Sequence, residues 1–251
     1  MFAIEAIGLQ KSFGPRQVLQ GVELQVRLGE FVALFGPNGA GKTTLIRILA
    51  GLIRPSAGCV LLGEYNLAKE EEAARRQIGV MGHQTYLYDD LTAEENLVFY
   101  ARMYGLHNPA GCIATLLKQM GLWVRRRDPV RTYSRGMQQR LALARALLHD
   151  PPILLLDEPD TGLDLDAIPL LQEALVGPDG RRRAVLFTTH NLERGLELAG
   201  RVAILSGGRI VYQGEHAALS NEGFRQLYAR FCKSAPQEPE PARGFSENHL
   251  A

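Results

Sequence analysis

The sequence is sparing with the residues that mark disulfide scaffolds, metal clusters and membrane spans. Cysteine occurs three times in 251 residues, at Cys59, Cys112 and Cys232. An odd number, widely spaced and without a Cys-x-x-Cys pair, argues against a disulfide framework and a zinc site and fits a reducing compartment. No apolar run approaches the ~18 residues that a membrane-spanning helix needs. Met1 is followed by Phe2-Ala3-Ile4-Glu5, an acid where a secretory leader would be basic and then apolar. Neither sign of charge dominates: 28 Lys and Arg against 27 Asp and Glu leave a formal net charge of +1. No global basic field is therefore offered to nucleic acid. Any membrane role is expected to be carried by a partner. What is present is globular composition, 46% hydrophobic and 22% charged, in a length that suits one large domain or two lobes.

The stretch Gly36-Pro37-Asn38-Gly39-Ala40-Gly41-Lys42-Thr43-Thr44 matches the phosphate-binding loop pattern of Gly, any four residues, Gly, Lys, then Ser or Thr. Gly36, Gly39 and Gly41 lack a Cβ, so the backbone can curl and turn its N–H groups toward phosphate oxygens. Lys42 is a point charge able to reach β- and γ-phosphates, and the Thr43 hydroxyl is placed to bind Mg²⁺. Phe31 to Phe35 reads as a buried strand leading in, and Leu45 to Ala50 as a helix leading out, ended by Gly51. That order points a helix N-terminus at the phosphates.

Along the chain, Ile4 to Leu9 reads as a strand, Lys11 to Arg16 as a turn, and Val18 to Val26 as an alternating strand. An antiparallel β layer thus leads into a parallel core. Cys59 to Leu62 is a short strand. Glu70 to Arg76 is a charged helix with Glu71/Arg75 and Glu72/Arg76 spaced i,i+4, read as a solvated face. Ile78 to Gln84 is a core strand ending on polar residues. Thr92 and Glu95 form a capping-box signature ahead of Leu97, Tyr100, Ala101 and Tyr104 on one face. Helices over Ala114 to Met120 and around Met137 to Leu148 follow, with Arg125-Arg126-Arg127 on the surface between them. Residues 85–150 therefore read as an all-helical insertion in an α/β chain. Ile153 to Leu156 and Ala184 to His190 are core strands. The expected helix at Ala167 to Val176 is followed by a turn at Gly177 to Gly180, and Leu192 to Leu198 is a helix. A hairpin around Gly207-Gly208 and a last helix from Phe224 to Phe231 precede a Pro-containing tail from Ser234, expected to be disordered.

In an open parallel sheet, ligands bind beyond the carboxyl ends of the strands. There the sequence puts the phosphate loop, Gln84, Asp157-Glu158 and His190. Asp157 reads as the acidic partner of Mg²⁺ through water. Glu158 is placed to polarise the attacking water as general base. His190 is placed to hold the γ-phosphate and that water in line, and Gln84 to complete the Mg²⁺ shell.

The set resembles the nucleotide-binding subunit of an ABC transporter, over nearly the whole chain up to Cys232. Tyr133-Ser134-Arg135-Gly136-Met137-Gln138-Gln139-Arg140 is similar to the family signature Leu-Ser-Gly-Gly-Gln, with Arg135 for a Gly and Met137 for the Gln. Ser134 and Gly136, which the resemblance implies contact γ-phosphate, remain, and Ser134 stands where it would cap the following helix. Thr161-Gly162-Leu163-Asp164 resembles the family's loop between subunits. Phe13 lies where the family stacks an aromatic on adenine; the other reading of Phe13 is a core residue. The resemblance implies a P-loop NTPase (RecA-like) α/β core with an antiparallel β layer, residues 1–84 and 151–232, an inserted helical signature subdomain at 85–150 and a tail at 233–251. It implies ATP and Mg²⁺ as cofactors and a two-fold dimer with composite ATP sites. It also implies membrane subunits docked on the helical insertion with Gln84 as hinge, at the cytoplasmic face of the membrane, and no nucleic acid.

Within the family, Gly82-His83-Gln84 followed by Leu91 to Tyr100 is similar to the ATP-binding subunit of the cytochrome c maturation system, the haem exporter. Ser134 to Arg140 is found there and also in exporters of the multidrug and antibiotic type. No Cys-x-x-Cys-His motif is present, and His83 reads as a neighbour supporting Gln84 rather than a haem ligand. A different class is an ABC protein acting on ribosomes or DNA. The single phosphate loop, the single signature and the lack of sustained heptads speak against it.

Overall fold

A computed structural model describes residues 2–82, 84–159, 183–218 and 220–232. The helix expected at 167–176, the turn at 177–180, the Thr161 to Asp164 loop, His83 and the tail at 233–251 lie outside the described residues.

Two sheets share the fold. The first is antiparallel, ordered β2-β1-β4-β5, from β1 (Phe2–Phe13), β2 (Arg16–Arg27), β4 (Ala57–Leu62) and β5 (Tyr65–Asn66). The second is ordered β10-β9-β3-β8-β7-β6, from β3 (Phe31–Phe35), β6 (Ile78–Met81), β7 (Ile153–Asp157), β8 (Ala184–Thr188), β9 (Arg201–Ser206) and β10 (Arg209–Glu215). Its strands run parallel except β10, which returns antiparallel beside β9. The helices are α1 (Lys42–Leu49), α2 (Glu71–Arg76), α3 (Ala93–Met103), α4 (Ala110–Gln119), α5 (Arg135–Leu147), α6 (Leu192–Leu198) and α7 (Asn221–Cys232).

The continuous aliphatic strands make sense once both faces of the second sheet are seen to be covered. Alternate residues point to opposite sides. Val32, Leu34, Ile153, Leu155, Ala184, Leu186, Ala203 and Leu205 join the apolar residues of α1 and the first sheet in one core. Ala33, Phe35, Leu154, Leu156, Val185, Phe187, Val202 and Ile204 join those of α3 to α7 in the other. Helix α1 is thus held between the two sheets, and the loop that precedes it is anchored by a dry interface on each side. Close backbone approach sets α5 against β6: a Cβ on Gly79 would lie 2.2 Å from the carbonyl oxygen of Ala146.

Between β6 and β7 the described regular elements are helices, short 3₁₀ turns and one isolated bridge, Thr92 to Pro129. The capping box forms in full: Thr92 Oγ1 accepts from Glu95 N at 3.1 Å and Glu95 Oε2 accepts from Thr92 N at 2.8 Å. Asn96, fully buried, satisfies its amide on the carbonyls of Tyr88 and Thr92 and accepts from Tyr88 N, which pins the chain entering α3. The i,i+4 pairs on α2 form, Arg75 with Glu71 and Arg76 with Glu72.

Several boundaries differ from the sequence pattern. Lys11 to Phe13 continue β1, and the turn shrinks to Gly14-Pro15, because Ser12 pairs with Gln17 and Phe13 with Arg16. Lys11 Nζ donates to Arg54 O at 2.7 Å and Ser12 N to Ser56 Oγ at 3.1 Å, so ties to residues distant in sequence outweigh the local turn chemistry. Helix α4 begins at Ala110, before Ala114. Strands β6 and β8 stop at Met81 and Thr188, so Gln84 and His190 sit beyond the strands rather than on them.

Candidate functional site

The phosphate loop leaves β3 at Phe35 and enters α1 at Lys42. Its path is dictated by missing side chains. A Cβ on Gly36 would lie 2.2 Å from the carbonyl oxygen of Leu205, at the end of β9. A Cβ on Gly41, whose φ is +105°, would lie 2.8 Å from Leu19 Cδ2 and 3.2 Å from Val18 O. The loop is therefore pressed between the two sheets, and only bare backbone fits. Gly36, Ala40 and Lys42 are buried; Asn38, Gly39 and Thr43 are exposed, with Pro37 and Thr44 between.

Lys42 is 7% exposed, and its Nζ donates to Gly36 O at 2.7 Å and Pro37 O at 3.1 Å. The ammonium thus braces the loop from its helix end back to its start. Burial lowers its pKa, against the opposing pull of Glu158, Asp157 and Cys232.

Beside the loop, β7 and β8 end in register, with Asp157 opposite Thr188. Asp157 is 6% exposed, and its Oδ1 accepts from Thr188 Oγ1 at 2.7 Å and from Thr43 Oγ1 at 3.3 Å. The Thr188 hydroxyl also accepts from the backbone N–H of Glu158 at 2.9 Å. One buried hydroxyl therefore fixes both neighbouring acids. The sequence pattern did not single out Thr188; its signal was positional, as the β8 residue paired with Asp157. Glu158 has φ +53°, a left-handed backbone uncommon outside glycine, which turns it out of the strand line. The His190 Nδ1 lies 3.6 Å from Glu158 Oε1, too long for a hydrogen bond and close enough for an ion pair when the imidazole is protonated. Thr189 Oγ1 accepts from Asn191 N at 3.0 Å, and Asn191 caps α6 by accepting from Arg194 N, which fixes the chain on either side of His190.

Phe13 is 50% exposed at the hairpin tip, with Lys11 Nζ over its ring 4.9 Å from the centroid. It is an exposed aromatic rather than a core residue. Gln84 is exposed and lines a cleft of about 730 Å³ with Tyr86 and with Arg135, Gln138 and Gln139 of α5. Ser134 caps α5, its Oγ accepting from Met137 N at 3.3 Å, and it is exposed with Gly136 in the first turn behind it. The structure thus brings Gly36 to Thr44, Asp157, Glu158 and His190 to one end of the second sheet, and leaves Ser134 and Gly136 on the helical insertion.

The donor set beside the loop suits a small hard cation. Among the described residues, no group of three or more His, Cys, Asp or Glu is assembled to hold a metal by itself. A Thr hydroxyl and a single carboxylate fit Mg²⁺, which takes few protein oxygens and completes its shell from phosphates and water. Among the described residues no helix is long and apolar enough to cross a membrane.

The family model described as "ABC transporter" matches residues 19–161. The ABC transporter ATP-binding protein NatA of Bacillus subtilis (strain 168) is 37% identical over 201 residues, 79% of this chain and 82% of NatA. The linearmycin resistance ATP-binding protein LnrL of the same organism is 34% identical over 213 residues, 84% of this chain and 68% of LnrL. Among solved structures, an ATP-binding subunit of an ABC transporter superposes with a TM-score of 0.83 at 31% identity, covering 91% of this chain and 99% of that one. A dimeric ATP-binding cassette in a post-hydrolysis state with ADP and Pi gives a TM-score of 0.73 at 29% identity, covering 85% and 98%. The fold is that of the ABC ATPases, and the chain belongs to the ABC transporter family as an ATP-binding subunit with ATP hydrolase activity.

Proposed function

We propose that this chain binds Mg-ATP on the phosphate loop and hydrolyses it within a two-fold dimer, powering an exporter of the multidrug and antibiotic type. The observation that carries the reading is the closed cluster of Thr43, Asp157, Thr188 and Glu158 beside the braced Lys42. The loop's N–H groups and Lys42 take the phosphates, and Phe13 stacks on adenine. Thr43 and Asp157 would hold Mg²⁺ and Gln84 would complete its shell; the ion would supply charge neutralisation on the phosphates. Glu158 accepts the proton of the attacking water as its oxygen bonds to the γ-phosphorus and the bond to the ADP oxygen breaks. His190 orients that water. Glu158 is suited to this because its backbone is fixed through Thr188 while its carboxylate stays partly open.

Ser134 and Gly136 complete the site of a second copy. The exposure of Ser134 and the partial exposure of Gly136 at a helix N-terminus, away from their own loop, support this, as does the dimeric state of the superposable cassette. Residues 1–84 and 151–232 act as the ATP-binding core and 85–150 as the lever on which membrane subunits dock. Tyr86, Tyr88 and Met103, large apolar side chains left exposed on that segment, suit such docking. The chain then works as a peripheral subunit at the cytoplasmic face of the membrane. The finer resemblance to the haem exporter of cytochrome c maturation rests on Gly82-His83-Gln84 followed by Leu91 to Tyr100, and on Ser134 to Arg140. It carries less weight than the antibiotic-exporter reading, because LnrL is named for linearmycin resistance and neither relative described above is named for haem.

Glu158→Gln tests the mechanism. ATP binding is expected to persist, turnover to fall by about 10²–10⁴-fold, the usual worth of general acid–base catalysis, and dimers to accumulate in ATP. Unchanged turnover removes Glu158 from its role. In cells whose only copy carries this variant, gain of antibiotic sensitivity with normal c-type cytochromes supports the exporter reading. Loss of covalent c-type haem reverses the choice.

A further inference from the structure

The hairpin between β1 and β2 ends close to the phosphate loop, and its tip carries an aromatic and a cation together. Phe13 and Arg16 are cross-strand partners flanking the Gly14-Pro15 turn. From that tip β2 runs directly along the loop. Val18 O and Leu19 Cδ2 press on Gly41, and Arg16 Nη2 lies 3.9 Å from the position a Cβ would take on Gly39. The start of β2 is also fixed from the other side. A Cβ on Gly208 would lie 2.5 Å from Val18 O, and Gln20 N donates to Gly208 O at 2.9 Å. An exposed guanidinium is thus held by a wedged strand over the exposed middle of the loop.

We propose that Arg16 is a nucleotide-binding residue, whose guanidinium takes the inner phosphates of a nucleoside di- or triphosphate seated in the loop. The proposal rests on the reading of this loop as the ATP site. A nucleotide with its base on Phe13 and its phosphates at the loop must cross from the hairpin tip to Gly39, and Arg16 lies on that path. Guanidinium pairs with phosphate oxygens through forked, charge-assisted hydrogen bonds, with more directional grip than a lysine provides. The inner phosphates are common to ADP and ATP, so Arg16 is expected to support both ligands. Its charge attracts them from the base side of the loop, while Lys42 acts from within.

The test is equilibrium binding of ADP and ATP to the full chain, read by fluorescence titration with a nucleotide analogue. Wild type, Arg16→Ala, Arg16→Lys and Lys42→Ala are compared at low and high salt. Arg16→Ala is expected to weaken both nucleotides about tenfold, the usual worth of a hydrogen bond to a charged group. Its binding should also depend less steeply on salt, because one exposed charge has been removed. Arg16→Lys should recover part of the loss, with the thermal midpoint of the nucleotide-free chain unchanged in both variants. Equal affinities for wild type and Arg16→Ala overturn the proposal, and so does a loss confined to ATP. A loss that Arg16→Lys does not relieve and that tracks a lowered thermal midpoint also overturns it, as a purely structural effect. If wild type shows no more saturable binding than Lys42→Ala, the ATP-site reading itself fails, which separates that failure from the failure of Arg16 alone.

Discussion

The two ends of the proposed machinery are built in opposite ways. At the loop end, the polar groups close on one another inside the chain: Lys42 on Gly36 and Pro37, Thr43 and Thr188 on Asp157, and Glu158 N on Thr188. At the helical end, Ser134 spends its side chain on capping its own helix, and the N-terminus of α5 faces solvent. The first is a closed polar cluster set among buried apolar strands, and the second is a solvent-facing helix start. The difference teaches where a change should act: packing and affinity at the first, assembly at the second.

The sharpest way to break the loop end is Gly36→Ala. The new Cβ would stand 2.2 Å from a backbone oxygen, Leu205 O, which no rotamer change can move aside. Either β9 or the loop must shift. Overpacking of this kind costs about 1–3 kcal/mol or more, and a displaced loop no longer presents its N–H groups to phosphate. Nucleotide binding is expected to fall at least about 100-fold, since positioned N–H donors and Lys42 act as a unit. Calorimetric titration with ADP and a urea melt check both parts; wild-type affinity in this variant would show that the loop is not held against β9 as described.

Just beyond the far end of α5 lies a half-buried group that titrates. His149 follows the helix, stacks on Tyr104 with centroids 4.0 Å apart, and holds its Nε2 3.1 Å from Ile78 O. A carbonyl only accepts, so Nε2 carries the proton, and Nδ1 is buried without a hydrogen-bond partner. Protonation would place a second N–H in that unpartnered position, and burial drives the pKa from 6.5 down to about 4. A lowered folded-state value means stability that is present above pH 6.5 and lost as pH falls through about 4. Between pH 7 and 4.5 this group alone should remove roughly 2–3 kcal/mol. His149→Gln should flatten that part of the profile, read as urea midpoints at the two pH values. Parallel wild-type and variant profiles would refute the assignment.

Sequence pattern carried the loop end further than the helical end, for physical reasons. Ile153 to Leu156 and Ala184 to Phe187 are aliphatic without interruption because both sheet faces are covered, and that leaves a plain mark in the sequence. Asp157 and Glu158 stand out because acids rarely follow such a run. Thr188 does not, because a threonine at a strand end is unremarkable until register sets it opposite Asp157. Arg16 was hidden for a related reason: Lys11 to Arg16 look like a turn, and only strand pairing up to Phe13 and Arg16 puts the guanidinium over Gly39. The Ser134 cap was legible from local chemistry, but the role proposed for it toward a second copy leaves no mark among the described residues of a single chain.

That asymmetry makes Ser134→Ala the most delicate test, with the smallest effect on the isolated chain. Losing the Ser134 Oγ to Met137 N bond removes one N-cap, a cost of about 1 kcal/mol. Helix α5 is otherwise held by Leu141, Ala142, Leu143, Ala144 and Ala146, all buried, so the fold should persist. Nucleotide affinity of the monomer should stay within about twofold, because the loop end is complete without Ser134. If Ser134 completes the site of a second copy, the variant combined with Glu158→Gln should fail to accumulate dimers in ATP. Sedimentation or light scattering with and without ATP reads this directly. Persistence of the ATP-dependent dimer would confine Ser134 to its capping bond, and the two ends of the molecule would then be alike in serving only their own chain.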